Sequence, residues 1–285
     1  MTAMSRREAL STAAVFAAAG TLGASGGQNR VVSKGRLKQS VCRWCYGKIP
    51  LPEFCKAVAD MGLTAIDLLT EKEWPIAHEY GLICSMGSGA GGTIVDGLNV
   101  KANHDAILAS LERTIPIAAG QKVPNLITFF GNRRGMSDDE AATNCIDALN
   151  RIKKVAEDHG VTICVELLNS KVDHKDYQGD HTAFGVRVVS AVNSPRVKLL
   201  YDIYHMQIME GDIIRTIRDN RQHIAHYHTG GVPGRHELDA TQELQWRSIC
   251  EAIVEMGFDG YLAQEFIPTR NPIASLREAV TLCDV

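Results

Sequence analysis

From residue 37 onward, short apolar runs alternate with stretches whose apolar residues recur at helical spacing. The runs predict strands at 39–44, 65–69, 82–86, 125–130, 162–167, 197–203, 223–229 and 261–266. Helical spacing covers, among others, 51–61, 103–119, 138–159 and 241–256. Strand then helix, repeated, implies a parallel sheet with helices outside it. Eight such units in about 250 residues imply closure into one (β/α)8 barrel of the TIM type. Gly62, Gly160 and Gly257 stand just past helix ends. Ser137, followed by Asp138, Asp139 and Glu140, marks a helix start. Long loops follow strands three and five, at 87–97 and 169–181, on the side of a barrel where function sits. No linker, low-complexity tract or short-period repeat divides 37–285, which reads as a single domain.

The chain has 285 residues, 45% hydrophobic and 22% charged, an ordinary globular balance. A net charge of −3 gives no electrostatic case for nucleic acid or an anionic membrane. Eight cysteines are scattered, mostly in apolar surroundings where Cys acts as a small core residue. Cys42 and Cys45 have redox or zinc spacing. However, no second pair completes a zinc site, and the pair ends the first strand rather than opening a helix after one.

The N-terminus reads as a targeting segment. Arg6 and Arg7 precede a mildly apolar, Ala-rich stretch from Ser11 to Ala24, then a run of small residues. Paired arginines before a weakly hydrophobic segment fit a twin-arginine export signal over residues 1–27 and predict a periplasmic location. No other segment is apolar for the ~20 residues a membrane span needs.

Four charged or imidazole groups close four successive strands: Glu166 in TICVELLN, Asp202 in VKLLYDIYH, His228 in IAHYHTGG and Glu265 in YLAQEFIPT. A charge at the end of a buried strand is costly unless paired or bound to metal. Adjacent barrel strands converge on one mouth, so one metal site is the economical reading. Three carboxylates and one imidazole suit Mn²⁺, Mg²⁺ or Co²⁺, and zinc also fits. His205 lies about one turn beyond Asp202 and could bond a substrate oxygen. Arg235, in a Gly/Pro loop, could grip a carboxylate bidentately. His226 shares a strand face with His228 and belongs one layer deeper, as a core histidine. His174, Arg43 and Trp44 are further candidates to line the pocket, though plain loop or wall roles suit them as well.

The series VELLN, YDIYH, HYHTGGVPGRHE and QEF resembles the xylose isomerase-like barrel superfamily over essentially 37–285. Within it, SVCRWCYGKIPLPEFC and GRHELD are most similar to the hydroxypyruvate isomerase family. The resemblance implies that Glu166 and Glu265 are metal ligands and also the acid/base pair, with Asp202 and His228 completing the metal shell. Hydroxypyruvate isomerases usually carry Gln where this chain has His228. Ketose epimerases and inosose dehydratases tend to carry His, which leaves the small-molecule substrate open.

The chemistry follows from the residues. Aldose–ketose isomerisation moves a proton between adjacent carbons through an enediolate. A divalent ion stabilises that species, and two flanking carboxylates take and return the proton. An epimerase or dehydratase would use the same four ligands. An AP-endonuclease-like enzyme would need further histidines at strands three and four. Met86-Gly87-Ser88 and Phe129-Phe130-Gly131 supply none. A non-catalytic sugar-binding barrel would not need the complete ligand set. Barrels of this kind often pair, which leaves a homo-oligomer open.

Overall fold

The structure, a computed structural model, describes residues 30–285. The export segment read at 1–27 lies outside the described residues. Eight parallel strands are present: β1 Lys38–Val41, β2 Ala65–Leu69, β3 Ile83–Gly91, β4 Asn125–Phe129, β5 Thr162–Leu167, β6 Val197–Asp202, β7 Ile224–Thr229 and β8 Tyr261–Gln264. They form one sheet in the order β1-β8-β7-β6-β5-β4-β3-β2. The ends of that sheet meet at a single bridge between Cys42 and Asp67, so the barrel is nearly closed, with its seam between β1 and β2. The helices are α1 Leu51–Met61, α2 Trp74–Glu79, α3 His104–Gly120, α4 Asp138–His159, α5 Thr182–Val192, α6 Ile203–Met209, α7 Ile213–Asp219, α8 Trp246–Glu255 and α9 Pro272–Cys283.

Local sequence explains these elements. In α1, Leu51, Phe54, Cys55, Val58 and Met61 are buried at three- and four-residue spacing, one apolar stripe against the barrel. It ends at Gly62, whose φ of 94° is open to glycine at little cost. In α4, the Ser137 side chain accepts from Glu140 N at 3.2 Å, and three acids fill the first turn. The barrel lumen is divided. Met86, Ile127, Cys164 and Leu200 pack together from β3 to β6. Cys42, Asp67, Ser85, His226 and His228, also buried, supply polar groups on the other side.

The chain enters the barrel through 31–35. The amides of Val31 and Val32 donate to Met61 O, and the amides of Ser33, Lys34 and Gly35 donate to the Asp284 carboxylate at 2.7–2.8 Å. The two ends of the domain are thereby tied together.

Some boundaries depart from the sequence reading. β1 stops at Val41, and Arg43–Tyr46 form a 3₁₀ turn closed by Gly47 N donating to Trp44 O, so Cys42 precedes the turn and Cys45 lies within it. All eight cysteines are free. β3 runs on to Gly91, through a segment read as loop. Glycine permits this, because a Cβ on Gly91 would collide with the Ile127 carbonyl oxygen of β4. β8 ends at Gln264, one residue before Glu265.

Candidate active site

The four strand-end groups come together. One ligand atom each from Glu166, Asp202, His228 and Glu265 lies within 4.8 Å of the others, and all four residues are buried. Three are on β5, β6 and β7, and Glu265 directly follows β8. Asp202 also begins α6 by accepting from His205 N at 3.2 Å, which fixes its carboxylate at the mouth.

Charge shapes the cluster. Burial, and Glu265 nearby, push the Asp202 carboxyl up to about 8 against the pull of Arg235. Burial likewise raises Glu166, with His228 opposing. Glu265 goes the other way: burial would raise it, but Arg235 and His228 hold it well below the usual carboxylate range. His228 also resists burial, since Glu265, Cys42 and Asp67 raise it.

The donor set fits a divalent ion. His228 Nδ1 is buried and makes no well-directed hydrogen bond, although Glu265 Oε2 is 2.6 Å away and Glu166 Oε1 3.3 Å. Three carboxylates around an orphaned imidazole nitrogen are a hard-cation shell with one nitrogen donor.

Around this cluster, Arg235 Nη2 contacts Asp202 Oδ2 at 2.9 Å and Glu265 Oε2 at 2.5 Å. The guanidinium lies between two rings, 5.4 Å from the centroid of Trp44 and 5.1 Å from that of Tyr204. Trp44 donates its indole hydrogen to Glu265 Oε1 at 2.6 Å while nearly half its surface stays open at the mouth. His205 is fully buried, with Nε2 3.0 Å from Arg235 Nη1 and Nδ1 2.6 Å from Asn169 Nδ2. Burial, reinforced by Arg235, holds it well below its ordinary value and therefore neutral. The His174 ring sits 5.3 Å from that of His205.

Arg43 is a correction. Its guanidinium donates to Tyr46 O at 2.6 Å and Ile49 O at 2.9 Å and lies over Phe54, 5.7 Å from the ring centroid. Its guanidinium is thus taken up by its own loop, and Trp44 is the residue of this turn that bonds a member of the cluster.

Sequence reasoning passed over Asp67, Asn169 and Tyr204. Asp67 carried a usable signal, a charge inside the apolar run AIDLL. It is fully buried and accepts from His228 Nε2 at 2.8 Å. Burial would raise its carboxyl, but His226 and His228 hold it far below the usual range. His226 sits below His228 on the same strand face, its Nε2 3.2 Å from Asp67 Oδ2.

Comparison with known proteins agrees with the barrel fold. The profile of the family described as xylose isomerase-like TIM barrel matches residues 55–283. A 2-oxo-tetronate isomerase of Pectobacterium atrosepticum is 25% identical over 231 residues, covering 77% of this chain and 87% of that one. A Mus musculus protein provisionally named a hydroxypyruvate isomerase is 22% identical over 253 residues, covering 82% and 90%. The solved 3-keto-D-glucoside 4-epimerase of E. coli superposes with a TM-score of 0.72 at 19% identity, covering 87% of this chain and 98% of that one, a likeness of fold.

Proposed function

The chain belongs to the xylose isomerase-like TIM-barrel family, and from that premise we propose that it is a metal-dependent isomerase of a small 2-keto acid or keto-sugar, hydroxypyruvate being the first substrate to try. The convergence of four buried ligand atoms within 4.8 Å carries this reading. Glu166, Asp202, His228 and Glu265 would hold the ion. When bound, a divalent ion supplies Lewis-acid polarisation of a carbonyl and charge stabilisation for an enediolate.

The chain's own groups divide the proton work. Without an ion the surroundings raise Glu166 and hold Glu265 well below the usual carboxylate range, and as ligands both would carry no proton. The two carboxylates, on opposite sides of the substrate, take the proton from one carbon and return one to its neighbour, while the hydroxyl proton passes between the two substrate oxygens. Trp44 and Arg235 hold the Glu265 carboxylate in place. Arg235, fixed between two rings, has the planar donors to bind a substrate carboxylate, and His205, kept neutral and held at both ring nitrogens by Arg235 and Asn169, braces that guanidinium.

A second reading is favoured by one residue. His228 stands where hydroxypyruvate isomerases usually have Gln, and epimerases tend to have His. A 3-epimerase would use the same glutamates to remove and replace a proton at a single carbon. A panel of hydroxypyruvate, ketohexoses, keto-glycosides and inososes, assayed with and without Mn²⁺, separates these readings. Turnover of hydroxypyruvate to tartronate semialdehyde supports the first, and exclusive turnover of ketohexoses supports the second. Arg6 and Arg7 ahead of the Ala-rich stretch support export of the folded enzyme to the periplasm.

A further inference from the structure

Asp67 interrupts the apolar run of β2, and the backbone is shaped around it. Pairing with β3 slips between Ile66 and Asp67 and again between Asp67 and Leu69, while Leu68 takes a φ of 57°. A bulge of this kind re-aims a side chain, and a left-handed leucine persists only where surrounding structure holds it. The bulge also forms the seam of the barrel, where Asp67 bridges to Cys42. The aimed carboxylate receives Ser85 Oγ–H, His226 Nε2 at 3.2 Å and His228 Nε2 at 2.8 Å, with Cys42 Sγ 3.6 Å away.

We propose that Asp67 is the positioning residue of the ion site, fixing His228 as the Nε2–H tautomer so that Nδ1 is the atom offered to the ion. The proposal rests on the metal-site reading given above. A neutral imidazole carries one ring hydrogen. With a carboxylate accepting at Nε2, the lone pair is left on Nδ1, the atom that faces Glu166 and Glu265 and lacks a well-directed partner. His226 reaches the same carboxylate from the layer below, so Asp67 is anchored independently of His228. Ser85 and the two histidines already occupy its oxygens, so Asp67 acts through His228 and is not a fifth ligand. A carboxylate behind a ligating histidine orients the ring and strengthens the donor.

The test uses full-length protein stripped with chelator and reloaded with Mn²⁺ alone. Affinity is read by competition with a fluorescent chelator for wild type, Asp67→Asn and Asp67→Ala, beside circular dichroism and melting of each metal-free variant. Asp67→Ala should weaken Mn²⁺ binding about 10–100-fold. Asp67→Asn should weaken it less, because its side-chain oxygen can still accept from His228. Histidine ¹⁵N spectra of Mg²⁺-loaded wild type should show the His228 hydrogen on Nε2. If Asp67→Ala does not fold, Asp67→Asn and the wild-type spectrum decide. A hydrogen on Nδ1, or Mn²⁺ bound by Asp67→Ala as tightly as by wild type, overturns the role of Asp67 and leaves the metal site standing. Failure of the wild type itself to bind Mn²⁺ overturns both.

Discussion

Glu166 and Glu265 come from β5 and the end of β8, which do not pair, yet both reach one atom. His228 Nδ1 lies 3.3 Å from Glu166 Oε1 and 2.6 Å from Glu265 Oε2. Barrel curvature makes this meeting possible, and a two-carboxylate proton transfer depends on it.

Glu265→Gln should lower kcat by a factor of about 10²–10⁴ while leaving KM within a few-fold, since Gln keeps an oxygen but cannot accept a proton at neutral pH. Glu166→Gln should do the same. Turnover in D₂O by wild type should place solvent deuterium in the product. Near-normal kcat in either variant would reduce that residue to a ligand, and absence of deuterium would point to a hydride shift.

Metal-free protein should lose stability as pH rises from about 6.5 to 8. Asp202, raised to about 8, and Glu166, also raised, keep protons in the fold that the unfolded chain has already released above about pH 4. His228, raised above about 6.5, does the same, so the folded state binds more protons across this window and its stability falls with pH. The lowered histidines His174, His205 and His223 act in the opposite sense, mainly below about 6.5 and fading above it. Saturating Mn²⁺ displaces those protons, so binding strengthens with pH and the slope should flatten or reverse. Melting temperatures from pH 6.5 to 8 with and without Mn²⁺ check this, and a metal-free midpoint that rises would refute the charge assignment.

Arg235→Lys should raise KM for a carboxylate substrate roughly 10–100-fold, because a point charge replaces a planar donor pair worth about 1.5–3 kcal/mol. It should affect an uncharged ketohexose far less. Equal effects on both substrates would mean that Arg235 serves only Asp202 and Glu265.

The fold was legible because strand and helix periods differ and alternate regularly from residue 37 onward. The four residues of the cluster were legible because charge at the end of a buried strand is anomalous. Arg43 was not, because neighbouring residues in a 3₁₀ turn find different partners: Arg43 bonds the carbonyls of its own loop and Trp44 bonds Glu265. The extra length of β3 was hidden by glycines, which resemble a loop until the close approach of β4 is seen. Asp67 showed the same anomaly as those four residues, but its meaning depended on a bulge and on two histidines more than 150 residues away in sequence.

Deleting residues 1–27 should leave melting temperature and turnover unchanged, because 31–35 already dock the described N-terminus onto Met61 and Asp284. Replacing Arg6 and Arg7 with lysine in the full chain should abolish delivery to the periplasm, as measured by cell fractionation. Undiminished export would refute the twin-arginine reading, and collapse of the truncated barrel would make the segment structural.

The most direct measurement is anomalous diffraction at the manganese edge from crystals soaked in Mn²⁺. One peak about 2.0–2.6 Å from Glu166, Asp202, Glu265 and Nδ1 of His228 is the predicted result. A peak elsewhere, or none at saturating Mn²⁺, would contradict the account.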